Sequence, residues 1–295
     1  MKFNVLALGE ILWDLLPSGA QPGGAPANFA YHAQALGAQA GVVTRVGNDR
    51  LGRDLQDHLA AMNLPLDLVQ VDETVPTGTV TVELTGDGIP HFTIHEQVAW
   101  DQLQPTEAAC LAARSADAIC FGSLAQRGPV SRAAIQQLLR LTADRCLRIF
   151  DINLRQHYYS REVIEQSLEL ANVLKLNETE LPVLESMMGL TGSAEAQLAM
   201  LADRYGLEVI ALTRGAAGSL LYQQGRISEC QSRPVQVKDT VGAGDSFTAA
   251  LVMGLLQGMD LDVVHRAASE VARYVCSCEG ATPPLPTELR ELLIR

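Results

Sequence analysis

The chain has 295 residues, of which 47% are hydrophobic and 19% charged, ample material for a folded core and a composition that excludes a disordered chain. Lys and Arg number 22 against 34 Asp and Glu, a net charge of −12. Broad binding to nucleic acid or an anionic membrane draws on clustered cations, so neither is expected, whereas a small anion held by backbone amides or a metal is still allowed.

Several chemistries lack their motif. The three lysines are Lys2, Lys175 and Lys238. None follows a glycine, so the Gly-Lys of a Walker A loop is missing. His95-Glu96 has no second His at the zinc-protease spacing, and no serine sits in a Gly-x-Ser-x-Gly elbow. The six cysteines are scattered without a CxxC pair, which fits reduced thiols in a cytoplasmic chain. The first apolar stretch is broken by Glu10 and Asp14 and has no secretory pattern. No apolar run approaches the roughly 18 residues of a membrane-spanning helix. The expectation is a soluble cytoplasmic protein.

In chain order, residues 5–8 read as a short buried strand ending at Gly9. Residues 26–36 read as a helix stopped by Gly37, 41–46 as a strand, and 52–62 as a helix with Leu51, Leu55 and Leu59 on one face. Residues 77–94 break the rhythm. Val80, Val82 and Leu84 alternate with Thr79, Thr81 and Glu83, a turn signal follows at Thr85-Gly86-Asp87-Gly88, and a second extended run reaches Ile94. This β-hairpin outside the main sheet reads as a lid. Later strands are expected at 118–121, 148–152, 173–176, 209–213 and 220–222. Helical patterns lie near 129–141, 178–188, 194–204, 243–257 and 260–276. Repeated βα alternation implies an α/β fold, a mainly parallel central sheet with helices on both faces and a small β lid. Residues 1–295 are expected to form one domain, with lid segments at about 10–20 and 75–100.

The feature richest in chemistry is Asp239-Thr240-Val241-Gly242-Ala243-Gly244-Asp245-Ser246-Phe247. Two glycines open a helix whose apolar face is Phe247, Leu251, Val252 and Leu255. Glycines admit close approach, helix-start amides are unpaired, and the helix dipole adds partial positive charge, so the segment can cradle an anion. Asp245 either caps the helix or is a base that takes a proton from an alcohol attacking phosphorus beside the cradle.

This string closely resembles the C-terminal signature of the ribokinase-like (PfkB) carbohydrate kinases. Gly23-Gly24-Ala25-Pro26-Ala27-Asn28 resembles the N-terminal signature of that family, and the likeness runs over almost the whole chain. The wording GEILWDLLPSG, PGGAPANFA, FDINLR and DTVGAGDSFTAAL is most similar to fructokinases. The resemblance implies a phosphotransferase with an alcohol acceptor. Asp245 would be its base, and Gly242, Ala243 and Gly244 would supply N–H groups to the transferring phosphoryl. Asp14, Gly24 and Asn28 would bind sugar hydroxyls. Asp151-Ile152-Asn153-Leu154-Arg155 is similar to the family's Asp-x-Asn-x-Arg stretch, which puts Asn153 and Arg155 on the phosphate side or the acceptor sugar. Asn177-Glu178-Thr179-Glu180 matches the family's Asn-x-x-Glu, so Asn177 and Glu180 would manage Mg²⁺ through ordered water. Thr213, Gly215 and Gly218 resemble its nucleotide segment. Ser269 stands where an Asn often faces adenine. Gly280-Ala281, with the Asp239 region, matches a monovalent-cation site of several relatives, which raises K⁺ activation.

The resemblance thus implies an ATP- and Mg²⁺-dependent sugar kinase. Glu96 near the second lid strand would repel an acidic sugar, and the scarcity of Lys disfavours a phosphorylated one. A neutral sugar is therefore expected. Trp13 and Trp100 could stack on the sugar or belong to core or interface. The apolar lid strand could pair with a second copy in a homodimer. Alternatives are a kinase of a 2-keto-3-deoxy sugar acid or of a nucleoside, and a non-catalytic sugar- or nucleotide-sensing protein on the same fold.

Overall fold

A computed structural model of the chain describes residues 2–17, 19–84 and 90–293. The expected turn at Thr85-Gly86-Asp87-Gly88 lies outside the described residues. The N-terminal part runs β1 (Asn4–Leu8), β2 (Leu12–Leu16), β3 (Gly19–Gly23), α1 (Ala25–Ala35), β4 (Gln39–Gly47), α2 (Arg50–Ala61), β5 (Val69–Asp72), β6 (Gly78–Leu84) and β7 (Pro90–Ile94). The middle runs α3 (Glu107–Ser115), β8 (Ala118–Phe121), α4 (Pro129–Arg140), β9 (Leu147–Asp151), α5 (Arg161–Leu170), β10 (Val173–Asn177), α6 (Leu181–Met188), α7 (Ala194–Tyr205) and β11 (Val209–Thr213). The chain closes with β12 (Ser219–Gln223), β13 (Arg226–Cys230), α8 (Ala243–Leu256), α9 (Leu261–Cys276) and α10 (Thr287–Glu291).

The large sheet has nine strands in the order β13-β12-β11-β10-β9-β8-β1-β4-β5. The strands from β5 to β11 pair in parallel, and β12 and β13 add antiparallel at one edge. Its strands read as unbroken apolar runs because both faces are covered. Alternate residues feed two cores. Leu6, Leu8, Ile119, Phe121, Phe150, Leu174 and Ile210 enter one. Val5, Ala7, Ile149, Val173, Val209 and Ala211 enter the other, with residues of α1, α8 and α9.

A second sheet has the order β3-β2-β6-β7. The β6–β7 hairpin is antiparallel, as its alternation predicts. Strand β2 falls within the segment 10–20 and β3 runs beyond it to Gly23. The segment Gly19-Ala20-Gln21-Pro22-Gly23 has poor strand propensity. Pro22 is tolerated because β3 is an edge strand, where a missing N–H breaks no ladder. Helices α3 and α5 also went unread. Each carries an N-cap signal: Thr106 accepts from the Ala109 N–H and Ser160 from the Val163 N–H. The expected helix at 178–188 starts at Leu181 instead, because residues 177–180 form a turn.

Trp100 is core, 1% exposed, beneath the Arg127 guanidinium 3.9 Å from its ring centroid. Trp13 is half-buried and donates its indole N–H to the Leu51 carbonyl at 3.0 Å. Both are therefore engaged by the protein itself. Among the described residues no helix is long and apolar enough to cross a membrane.

Helix α8 is apolar nearly all round, with residues 246–254 buried, as expected of a helix sunk in a core. It packs closely on α9, where a methyl added at Gly254 would stand 2.7 Å from Val264 Cγ2. Overpacking costs about 1–3 kcal/mol, more than the roughly 1 kcal/mol that Gly→Ala gains in helix propensity. Gly254→Ala is expected to lower the melting temperature by a few degrees in calorimetry, and Gly254→Ala/Val264→Ala to recover part of it. An unchanged or raised melting temperature for the single variant would contradict this packing.

Candidate active site

Strand addition reverses at β1: β4 and β5 lie to one side, β8 to β11 to the other. Such a switch point opens a crevice at the strand carboxyl ends. A narrow cleft lies there, with Glu10, Pro26, Phe29, Asp151, Asn153 and Asp245 in its walls. Glu10 follows β1, Asp151 ends β9 with Asn153 just beyond it, and Asp245 lies in the first turn of α8. The two distant signatures therefore meet at one place. Asn28 Nδ2 donates to Asp245 Oδ2 at 2.8 Å across 217 residues of chain.

Backbone constraints build this corner. Gly24 caps α1 at φ 122°, and a side chain there would stand 2.6 Å from the Glu10 carbonyl. Gly242 caps α8 at φ 76°, with the Ala281 backbone filling the place of a Cβ. Neither position admits an ordinary residue. Asp239 braces the same turn, accepting from the Val241 N–H at 3.0 Å and the Gly280 N–H at 3.1 Å. It thereby ties together the two segments expected to enclose a monovalent cation. Of the three cradle amides, Ala243 N–H turns back to the Thr240 carbonyl at 3.3 Å. The N–H groups of Gly242 and Gly244 have no protein partner among the described residues, nor does that of Asp245. These point-charge donors at a helix start suit a tetrahedral anion.

Charge dominates the cleft. Burial pushes the Asp245 carboxyl up to about 6, and the nearby Asp151 adds to this, whereas Asn28, Lys175 and Arg155 oppose it. Glu10 is 4% exposed, and burial pushes it up to about 7. Asp14, on β2, is also raised by burial, with Arg155 opposing. Its carboxylate lies against Gly23, where a Cβ would come within 2.5 Å of Oδ2. Asn153 sits at φ 42°, a left-handed conformation that Asn tolerates. Arg155 is exposed and forms no ion pair among the described residues.

Asp151 is more than a strand-exit polar residue. Its Oδ1 accepts from Lys175 Nζ at 3.0 Å, and its Oδ2 lies 3.0 Å from Thr248 Oγ1 on α8. Glu180 is buried, its Oε1 accepting from Leu154 N–H at 2.9 Å and its Oε2 from Asn177 N–H at 2.8 Å. Burial raises its pKa, chiefly offset by Lys175. Asn177 Oδ1 caps the turn by accepting from the Thr179 and Glu180 N–H groups. Each Glu180 oxygen keeps a second lone pair. Among the described residues no three His, Cys, Asp or Glu side chains gather as metal ligands. Those features fit a Mg²⁺ held through water and substrate phosphates rather than in a protein cage.

The expected nucleotide residues gather at the far end. Thr213, Gly215 (φ 52°) and Gly218 (φ 89°) form the turn between β11 and β12. Ser269 Oγ lies 3.4 Å from Ser219 Oγ beside that turn. Ser219 in turn meets His265 Nε2 at 2.7 Å. Glu96 is not among the residues lining the cleft. It lines a separate hollow with Arg127, Gly128 and Tyr158, because Arg127 and Tyr158 hold the carbonyls of His95 and Ile94 there. The negative charge facing the cleft comes from Glu10 instead. Glu10 and Lys175 are the residues that sequence reasoning passed over. Each is a charge at or near the carboxyl end of an apolar strand, and that misplacement was the available signal.

The family model described as pfkB family carbohydrate kinase matches residues 19–288. A fructokinase of Klebsiella pneumoniae is 32% identical over 86% of this chain and 85% of its own length. A sugar kinase of Pyrococcus horikoshii, solved in complex with ATP, superimposes with a TM-score of 0.84 at 28% identity, covering 98% of this chain and 99% of that one. A fructokinase of Vibrio cholerae O395, solved with fructose, ADP and calcium, gives 0.79 at 25% identity, covering 99% of each chain.

The raised Glu10 pKa has a measurable consequence. A carboxyl that binds its proton more tightly folded than unfolded loses stability as pH rises from about 4.5 to about 7. The charged form then costs about 3 kcal/mol above that window. Glu10→Gln is expected to raise the melting temperature by several degrees at pH 8 and to leave it nearly unchanged at pH 4. Equal effects at both pH values would contradict the burial of an ionised Glu10.

Proposed function

The chain belongs to the pfkB family of carbohydrate kinases, and within that ATP-dependent activity we propose that it phosphorylates a neutral sugar, fructose first, with Asp245 as the base. The observation that carries the reading is the Asn28–Asp245 hydrogen bond of 2.8 Å beside the unpartnered amides of α8. It leaves one Asp245 oxygen for an incoming hydroxyl and sets that hydroxyl next to an anion cradle.

The fructokinase relatives favour fructose. The cleft's charge favours a neutral acceptor. Glu10, Asp14, Asp151 and Asp245 face Arg155 and Lys175, and a carboxylate accepts hydrogen bonds from sugar hydroxyls but repels a sugar acid. Asp14 and Asn28 hold the acceptor, and Asp245 draws the proton from the attacking hydroxyl as the oxygen closes on phosphorus. The amides of Gly242 and Gly244 take up charge on the transferring phosphoryl. When bound, Mg²⁺ neutralises phosphate charge, and Asn177 and Glu180 hold its water. Thr213, Gly215, Gly218 and Ser269 seat the nucleotide of ATP. Asp245 must be ionised to act, so turnover falls as pH drops below about 6. A second reading, a kinase of a 2-keto-3-deoxy sugar acid, draws on Arg155, whose exposed guanidinium has no ion-pair partner among the described residues.

Coupled ADP release with Mg²⁺-ATP across fructose, ribose, glucose, 2-keto-3-deoxygluconate, adenosine and inosine decides the acceptor. Fructose is expected to give the highest kcat/KM, and a rate confined to the sugar acid would transfer the assignment to Arg155. Asp245→Asn is expected to lose about 10²–10⁴-fold in kcat while keeping acceptor binding by calorimetry. Undiminished turnover would remove Asp245 as the base.

A further inference from the structure

Lys175 stands on β10 beside Asp151 on β9, the two being register partners in parallel strands. Its side chain points to the α8 face, as does Val173 two residues before it. It is 7% exposed, in a strand whose other residues up to Leu176 are apolar and buried. Burying an ammonium is costly, and one partner rarely offsets it. Nζ has three donors, and Asp151 Oδ1, at 3.0 Å, is its one hydrogen-bond acceptor among the described residues.

The place is stranger than the burial. A Cβ built on Gly244 would lie 3.1 Å from Lys175 Nζ. The ammonium therefore lies directly under the first turn of α8, the positive end of a helix dipole, where a cation is disfavoured. That arrangement suits a site designed to face added negative charge. Three carboxyls act on it: Asp151, Glu180 and Asp245.

We propose that Lys175 is a positioning residue of phosphotransfer: a buried ammonium, fixed by Asp151, that floors the glycine cradle and holds Asp245 in its charged form. It acts through Asp245 and the α8 turn rather than by touching substrate. The proposal rests on Asp245 as the base. Groups facing Asp245 are Asn28 from α1, Glu10 after β1, Cys120 on β8, Asp151 on β9, Arg155 after β9 and Lys175 on β10. Lys175 is the one cation among them that sits beneath the cradle, and Asp151 is the anion that fixes it. Thr248 completes the link: its Oγ1 lies 3.0 Å from both Asp151 Oδ2 and the Gly244 carbonyl, two acceptors that share its one hydroxyl proton.

The test needs no acceptor. Carboxyl NMR of protein labelled at aspartate Cγ, with the Asp245 resonance assigned by its loss in Asp245→Asn, reads the titration of Asp245 directly. Lys175→Met removes a cation and is expected to move the midpoint up by about one pH unit or more. Asp151→Asn removes an anion, leaves Lys175 unpaired nearby, and is expected to move it down. The acid limb of kcat should follow both. General loosening of the fold would not displace the midpoint in opposite directions. An unmoved midpoint in folded Lys175→Met, or an upward one in Asp151→Asn, overturns the proposal. Should Lys175→Met fail to fold by circular dichroism, Asp151→Asn decides alone. Failure of the fructose reading would leave this titration untouched, and full turnover by Asp245→Asn would remove the base while the titration still reports Lys175.

Discussion

The ion pair between Asp151 and Lys175 joins the two halves of the molecule's design. The residues are neighbours on adjacent parallel strands, and both lie under α8 rather than in water. The free oxygen of Asp151 reaches Thr248, so the pair fixes where α8 starts relative to the sheet. That start is the glycine cradle, and the next side chain is Asp245. A shift of the helix by one residue would displace Asp245 and the glycine turn from the cleft together. A buried ion pair is a weak source of stability. Its value here is positional, since the second oxygen of Asp151 is committed to Thr248 on α8.

The same economy governs the acidic groups. Glu10 is buried and Asp245 largely so, and both are held above their ordinary pKa values. Such groups weaken the fold at neutral pH and keep a proton acceptor near the working range, the usual arrangement for a catalytic base. Asn28 opposes the trend at Asp245 with a single hydrogen bond. The second sheet is fastened from outside the cleft. Arg127, Gln156 and Tyr158 donate to the carbonyls of His95, Phe92 and Ile94. Arg127 is itself pinned by Asp101 and stacked over Trp100. Loops following β8 and β9 thus hold strand β7 and the segment just after it.

Local pattern carried much of the fold. Apolar runs at 5–8, 118–121 and 209–213 became strands, and the Phe247 face became α8, because burial on two faces or one imposes periods visible within a few residues. The β6–β7 alternation was legible for the same reason. Strand β3 was not, since Gly19 and Pro22 disfavour strand locally and the pairing partner β2 supplies the structure. Helices α3 and α5 were legible only through their caps at Thr106 and Ser160. Glu96 follows β7 closely in sequence but lines a hollow with Arg127 and Tyr158, a placement set by contacts that no local pattern shows.

From residue order alone came the parallel α/β class and the helix start at Gly242–Asp245, both set by short-range sterics and periodicity, whereas the reading of the two glycine-bearing motifs came from their resemblance to a family. Only the folded chain brought Asn28 to Asp245 across 217 residues, put Lys175 beneath Gly244, and turned Glu10 into the cleft. These are contacts between distant segments, and burial and charge at such a point depend on everything packed around it. No local pattern encodes that sum.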